Sequence, residues 1–430
     1  MRLNLLRGSL TAAAIMTLAG LSTVEAATPP AQPADGAGGI GDRKATVTKR
    51  LLGRGTATTF AFYAAGPAPE AGRPVAIFLH GWGVVNPQSY GGWIDHLARQ
   101  GWLVLFPRFQ EVNRTRPADA PAIAETLVKA ALSDLASDNE ARPDLGRVAL
   151  IGHLAGAPLA LDMAAGSKAR GLPVPKLILA ATPGGIASGP KSRGIALADL
   201  STVDPATMLV AMVGDKDTRA ADLAAKRLLR EASAVPLERK LFVRALSDDH
   251  GFPALTATLA APAGLDTAYD GGAIKPGPEP KEAAKDAAKP PPFRWSADMA
   301  LTGEQQSLVS QINLARVDAL DYLGFWKTFD LAAAAAFGGS DATALKNNPR
   351  LADMERWSDG WPVKRLAVET PRPTPAAQAA HRRRQPASVE IRLFDSLALA
   401  QGLLISLPSE TGARSCPSSS PACSPRLPSA

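Results

Sequence analysis

The stretch whose residue types and spacing point most directly to chemistry is Gly152-His153-Leu154-Ala155-Gly156. A short apolar run, Val148 to Ile151, enters it, and an Ala/Leu-rich stretch leaves it. Strand, sharp turn, helix is the setting of a nucleophile elbow, whose pattern is G-x-S-x-G. The two glycines leave room for a strained turn that lifts the central side chain above a sheet. That side chain should be Ser, Cys or Asp, and it is Leu154. Leucine has no lone pair for attack and no proton to give a base.

Covalent chemistry at such an elbow needs an acid and then a base, in that chain order, and two backbone N–H groups to hold the oxyanion. Asp217 lies in Gly-Asp-Lys-Asp-Thr after the apolar run Met208 to Val213, the place for the acid that holds an imidazole tautomer. Asp215 in the same turn competes for that role. His250, in Ser-Asp-Asp-His-Gly after Lys240 to Leu246, is the candidate base that takes and returns the nucleophile's proton. The oxyanion donors would be the N–H of Ala155 and one from His80-Gly81-Trp82-Gly83, with Trp82 preferred. His80 is read as structural, His153 as pointing sideways, His96 as lying on a helix face and His381 as part of the tail. No His/Cys/carboxylate set has metal spacing, and no glycine-rich phosphate loop is present, so neither a metal nor a cofactor is expected.

These residues need a sheet to hold them. Ala45 to Leu52 and Ala57 to Ala64 alternate loosely and predict two opening strands. Val75 to Leu79, Trp102 to Phe106, Val148 to Ile151, Leu177 to Ala181, Met208 to Val213 and Lys240 to Leu246 predict six more. Helical periodicity falls between them, at Ser89 to Gln100, Ala118 to Ala136, Ala155 to Ala165 and Ala220 to Ala232. Strands alternating with helices predict an α/β fold with a mostly parallel, doubly wound sheet. Polar and glycine-rich residues gather after the strands' C-terminal ends, where open α/β sheets bind ligands. Leu301 to Phe329 is again helical, and these C-terminal helices are expected to pack on the same sheet.

Taken in order, Phe78 to Gly83 (F-L-H-G-W-G), Gly101 to Gln110, Val148 to Gly156, Gly214 to Asp217 and Ser247 to Gly251 resemble the α/β-hydrolase family over residues 45–367. Asp318 to Lys327 and Trp357 to Val363 are similar to the C-terminal end of bacterial exported or membrane-linked members. The resemblance implies ester, thioester or amide hydrolysis through an acyl-enzyme, on a small-molecule ester or acyl ligand. The departure is Leu154. Removing one member of a catalytic triad leaves only the residual catalysis of the oxyanion hole and binding, roughly 10³–10⁴-fold over water. Three readings follow: a pseudoenzyme that keeps a pocket for a ligand or partner, or a decayed copy; an active hydrolase by another mechanism, through a serine such as Ser188 or Ser247; or an active serine enzyme in which Leu154 is a rare variant.

The remaining sequence bounds the setting. Residues 1–26 have a basic start (Arg2, Arg7), an apolar stretch from Leu10 to Leu21 and small residues at Val24 and Ala26. This is the pattern of a cleaved export signal, so the chain is expected in the periplasm or outside the cell with no stable membrane span. Residues 27–44 read as a flexible leader, 275–292 as a low-complexity insertion, and 368–430 as a disordered Pro/Arg/Ser-rich tail. The net charge of +7 falls largely on the signal and tail. The core is too nearly neutral to suggest nucleic acid. The two cysteines, Cys416 and Cys423, lie in the tail and cannot staple the core.

Overall fold

The computed structural model describes residues 26–42, 44–189, 191–217, 219–275, 294–301 and 305–371. Nearly all of the expected export signal, most of the expected low-complexity insertion and nearly all of the expected tail lie outside the described residues.

Among the described residues nine strands form one sheet, in the order β1-β2-β4-β3-β5-β6-β7-β8-β9. They are β1 (Val47–Arg54), β2 (Ala57–Ala64), β3 (Arg73–Leu79), β4 (Leu103–Pro107), β5 (Pro143–His153), β6 (Leu177–Ala181), β7 (Met208–Gly214), β8 (Lys240–Ala245) and β9 (Ala367–Glu369). The first two make an antiparallel hairpin, β3 to β8 are mutually parallel, and β9 closes the far edge antiparallel to β8. The central strands are buried almost end to end, as parallel strands covered on both faces must be.

Helices α1 (Gly91–Arg99), α2 (Ala120–Leu135), α3 (Gly156–Ala164) and α4 (Arg219–Glu231) make the crossovers. Side chains alternate along each strand, so the two faces carry separate cores. Ala76 and Phe78 of β3 join Trp93, Ile94 and Leu97 of α1 on one face. Val75, Ile77 and Leu79 join Leu127 and Val128 of α2 and Leu159 of α3 on the other. Every residue of α3 is buried, which fits a sequence that is apolar on every side except at Asp162.

Two expectations need correction and one gains detail. The 27–44 leader is ordered where it is described, because its backbone is tied at both ends. Ala27 O accepts from Phe252 N (2.8 Å), Thr28 O from Ser358 N (3.0 Å), and Gly38 N donates to Asp330 (2.8 Å). The helical region expected from Leu301 to Phe329 comprises α5 (Gln305–Leu314), a π-helical turn (Leu320–Trp326) and the start of α6 (Lys327–Phe337). Asp318 and Asp321 set the break: each carboxylate accepts a nearby backbone N–H (Leu320 and Asp318, both 2.8 Å) that the helix ladder would otherwise leave open. The last strand, β9, extends the sheet beyond the expected edge at residue 367.

Candidate active site

The elbow is built as its two glycines predict. A Cβ on Gly152 would lie 2.3 Å from Gly156 O, and one on Gly156 would lie 1.9 Å from Leu79 O. Only glycine lets β5, the turn and α3 come this close. Between them Leu154 takes φ +51°, a left-handed conformation that costs a bulky residue on the order of 1–3 kcal/mol. Three backbone bonds hold it there. Leu154 N donates to Ala181 O (3.2 Å), and Leu154 O accepts from Ala157 N (3.1 Å) and Gly184 N (3.2 Å). The strained turn presents a leucine at its centre.

The leucine side chain is 2% exposed. Its Cδ1 sits 3.1 Å from where a Gly81 Cβ would be, so it packs against the loop that would carry the oxyanion donor. That loop is itself well positioned. Gly81 N donates to Tyr90 Oη (3.0 Å), and Gly83 N to Gln110 Oε1 (2.6 Å). Tyr90 Oη meets His153 Nδ1 (2.8 Å), and His153 Nε2 meets Leu259 O (2.7 Å). A carbonyl only accepts, so the His153 proton is on Nε2 and Tyr90 donates to Nδ1. Burial pushes His153 down to about 4 and keeps it neutral. The buried Tyr90 phenol is pushed above its ordinary value by the same cause. One polar chain thus ties the oxyanion loop, the elbow and the segment after β8. His153 does point sideways, and Tyr90, its partner, carried no signal in the sequence beyond being an aromatic near a helix start.

Trp82, in the His80 to Gly83 loop, and Ala155, next to Leu154 in the elbow, are both buried. The C-terminal segment closes over them. Leu301 lies 2.7 Å from where a Gly185 Cβ would be, beside Ala155, and Val309 of α5 lies 2.9 Å from the corresponding point on Gly83. His80 Nδ1 donates to Gly81 O (2.8 Å), and the ring stacks on Phe109 at 4.0 Å. A carbonyl only accepts, so Nδ1 carries the proton. Burial holds this ring neutral as well, at about 4. His96 is buried between Gly39 O and Asp330 Oδ2 and fastens the leader to α6.

The acid and base positions divide. Asp215 is occupied: its Oδ1 accepts from Ser247 N (3.0 Å) and Ser247 Oγ (2.5 Å). Asp217 Oδ2 accepts from Gly214 N (2.7 Å), while its Oδ1 is buried with no partner. Burial pushes this carboxyl up to about 7, against the lowering effect of the Gly214 N–H.

His250 is not the partner of Asp217. Its Nε2 pairs with Asp359 Oδ2 (2.7 Å), not with Asp217. Its ring stacks on Trp361 (5.5 Å between centroids, 15° apart). The neighbouring Asp248 accepts from Trp357 Nε1 (3.2 Å) and Lys364 N (2.9 Å). The expected pairing of Asp217 with His250 is therefore corrected. Ser-Asp-Asp-His-Gly anchors the Trp357 to Lys364 segment instead, because that segment supplies a closer carboxylate and two indole rings. The alternative nucleophiles fare no better: Ser247 Oγ is spent on Asp215 and accepts from Ala257 N (3.0 Å), and Ser188 lies on an exposed loop. Among the described residues no group of three or more His, Cys, Asp or Glu could hold a metal ion. No helix among them is long and apolar enough to cross a membrane.

A family model described as chlorophyllase matches residues 56–212, from β2 through the elbow to β7. No curated protein matches the chain. Solved structures similar to it include carboxyl esterase 2 from the mycorrhizal fungus Tuber melanosporum, at 18% identity over 48% of this chain and 78% of that one, with a TM-score of 0.35. Another is EstE1, a thermophilic carboxylesterase cloned from a metagenomic library, at 15% identity over 47% and 79%, with a TM-score of 0.37. The strand order, the crossover helices and the glycine-framed elbow are those of an α/β-hydrolase fold, and the family model matches the part of the chain from β2 to β7.

Proposed function

We propose that this chain is an exported, esterase-like α/β-hydrolase-fold protein that has lost covalent serine catalysis and keeps the fold's apolar site for a small acyl or ester ligand. The observation that carries the reading is Leu154: a buried, apolar side chain on a left-handed elbow residue, where the attacking atom belongs. No acyl-enzyme forms on leucine, so turnover at that position is excluded by its chemistry. The intact backbone frame, from Gly81 through Tyr90 and His153, supports a site that is held in shape for something other than attack. Export is supported by the basic start and apolar stretch of residues 1–26, and secretion with a new N-terminus at Ala27 would be the expected result of expressing the full chain.

The test uses the purified full chain, a fluorophosphonate probe and short-chain p-nitrophenyl esters. The expected result is no covalent mass addition and no ester cleavage above that of a heat-unfolded control. A stoichiometric adduct on the native chain would overturn the reading.

A further inference from the structure

The structure assigns the place of the missing base to Leu259, and with it a second lost catalytic position beside Leu154. The inference deepens the reading above and rests on it.

A base on this fold must reach the free oxygen of the acid on one side and the elbow side chain on the other. One short segment of the chain spans these two points. At its start, Ala257 O accepts from Lys216 N (3.0 Å), one residue from Asp217. Gly214 must be glycine for this contact, since a Cβ there would lie 2.1 Å from Ala257 O. At its end, Leu259 O accepts from His153 Nε2 (2.7 Å), one residue from Leu154. Between them Thr258 is engaged locally, its Oγ1 accepting from Ala260 N (3.3 Å). Leu259 is 9% exposed and belongs to the same apolar cluster as Leu154. Asp217 Oδ1 is buried and unanswered. His250 is held upstream, on the other side of the Asp248–Leu255 bridge, by Asp359 and Trp361.

An imidazole at position 259 would supply an N–H to Asp217 and a lone pair to a hydroxyl at position 154. With both restored, attack on a fluorophosphonate balances as follows. The serine Oγ–P bond forms, the P–F bond breaks and fluoride leaves, and the hydroxyl proton passes to the imidazole.

The experiment compares Leu154→Ser, Leu154→Ser/Leu259→His, and that pair with Asp217→Asn added, each checked for folding by circular dichroism. Fluorophosphonate labelling rates are read by intact mass. We expect Leu154→Ser alone to label no faster than the native chain. The pair should label at least 10²-fold faster, the usual worth of a positioned base. Asp217→Asn should remove most of that gain. Rapid labelling of Leu154→Ser alone, abolished by His250→Ala, would overturn the assignment while leaving the proposed function standing; labelling of the native chain would instead sink the proposed function. A second readout needs no nucleophile. Leu259→His alone should show a downfield imidazole N–H proton resonance that vanishes with Asp217→Asn. A folded Leu259→His protein without that resonance would also overturn the assignment.

Discussion

Two corners of this molecule look as though they have exchanged contents. At the elbow the backbone is that of a catalytic centre: a left-handed turn, two glycines with no room for a side chain, and a buried tyrosine–histidine chain fixing the loop opposite. Its reacting position holds leucine. At the other corner His250 and Asp359 form a hydrogen-bonded pair of the type a triad needs, yet they sit at the surface under Trp361 and touch no elbow. The difference separates geometry from chemistry. The first is held by backbone contacts and glycines, which a side-chain change at position 154 does not disturb. The second can be matched anywhere a histidine meets a carboxylate.

The comparison can be broken or sharpened by substitution. The largest effect is expected at Gly156→Ala. Its Cβ would have to displace the Leu79 carbonyl, so a loss above about 4 kcal/mol, or failure to fold, should appear in urea unfolding. A result under 1 kcal/mol would mean that the elbow is not the rigid frame described.

Next comes the pH profile of Asp217. Its carboxyl is raised to about 7 from an ordinary value of 3.8, so the folded state binds a proton that the unfolded state releases. The stability this gives is fully present below about pH 4 and is lost as pH rises through about 7. His80 and His153, both lowered to about 4, act in the opposite sense: their stability is present above about 6.5 and lost as pH falls toward 4. The two trends oppose each other over the same window. Asp217→Asn should remove the first and leave the second, making the variant's stability rise more steeply between pH 4 and 8 than the native chain's, by up to a few kcal/mol. Parallel profiles would show that the carboxyl has a partner.

Tyr90→Phe comes third. It strands Gly81 N and His153 Nδ1 together, and should cost about 1–3 kcal/mol in urea unfolding. An unchanged midpoint would remove the polar chain from the account. The smallest effect belongs to His250→Ala. Its partner Asp359 is half exposed, and such pairs are worth about 1 kcal/mol or less. A thermal midpoint shift as large as that of Tyr90→Phe would reverse the contrast between the two corners.

Much of this was legible in the residues alone. The eight strands from β1 to β8 follow from apolar runs and turn residues, and the elbow from two glycines at fixed spacing. Both signals are local. The leader was misjudged because its Ala/Pro/Gly composition says nothing of the carbonyls it offers to Phe252 and Ser358. His250 was given to the elbow because chain order and residue type both fit, and the competing partner, Asp359, is far away in sequence. Leu259 carries no signal in the sequence: it looks like any other core leucine until its neighbours are placed around it.

The account's central claim is that the elbow is present and its nucleophile is not. Fluorophosphonate treatment of the purified native chain, read by intact mass, tests it most directly. The account predicts an unmodified mass at any probe concentration that labels an active serine esterase to completion. A single adduct, mapped to a residue within Gly152 to Gly156 or to any serine beside Leu154, would contradict it.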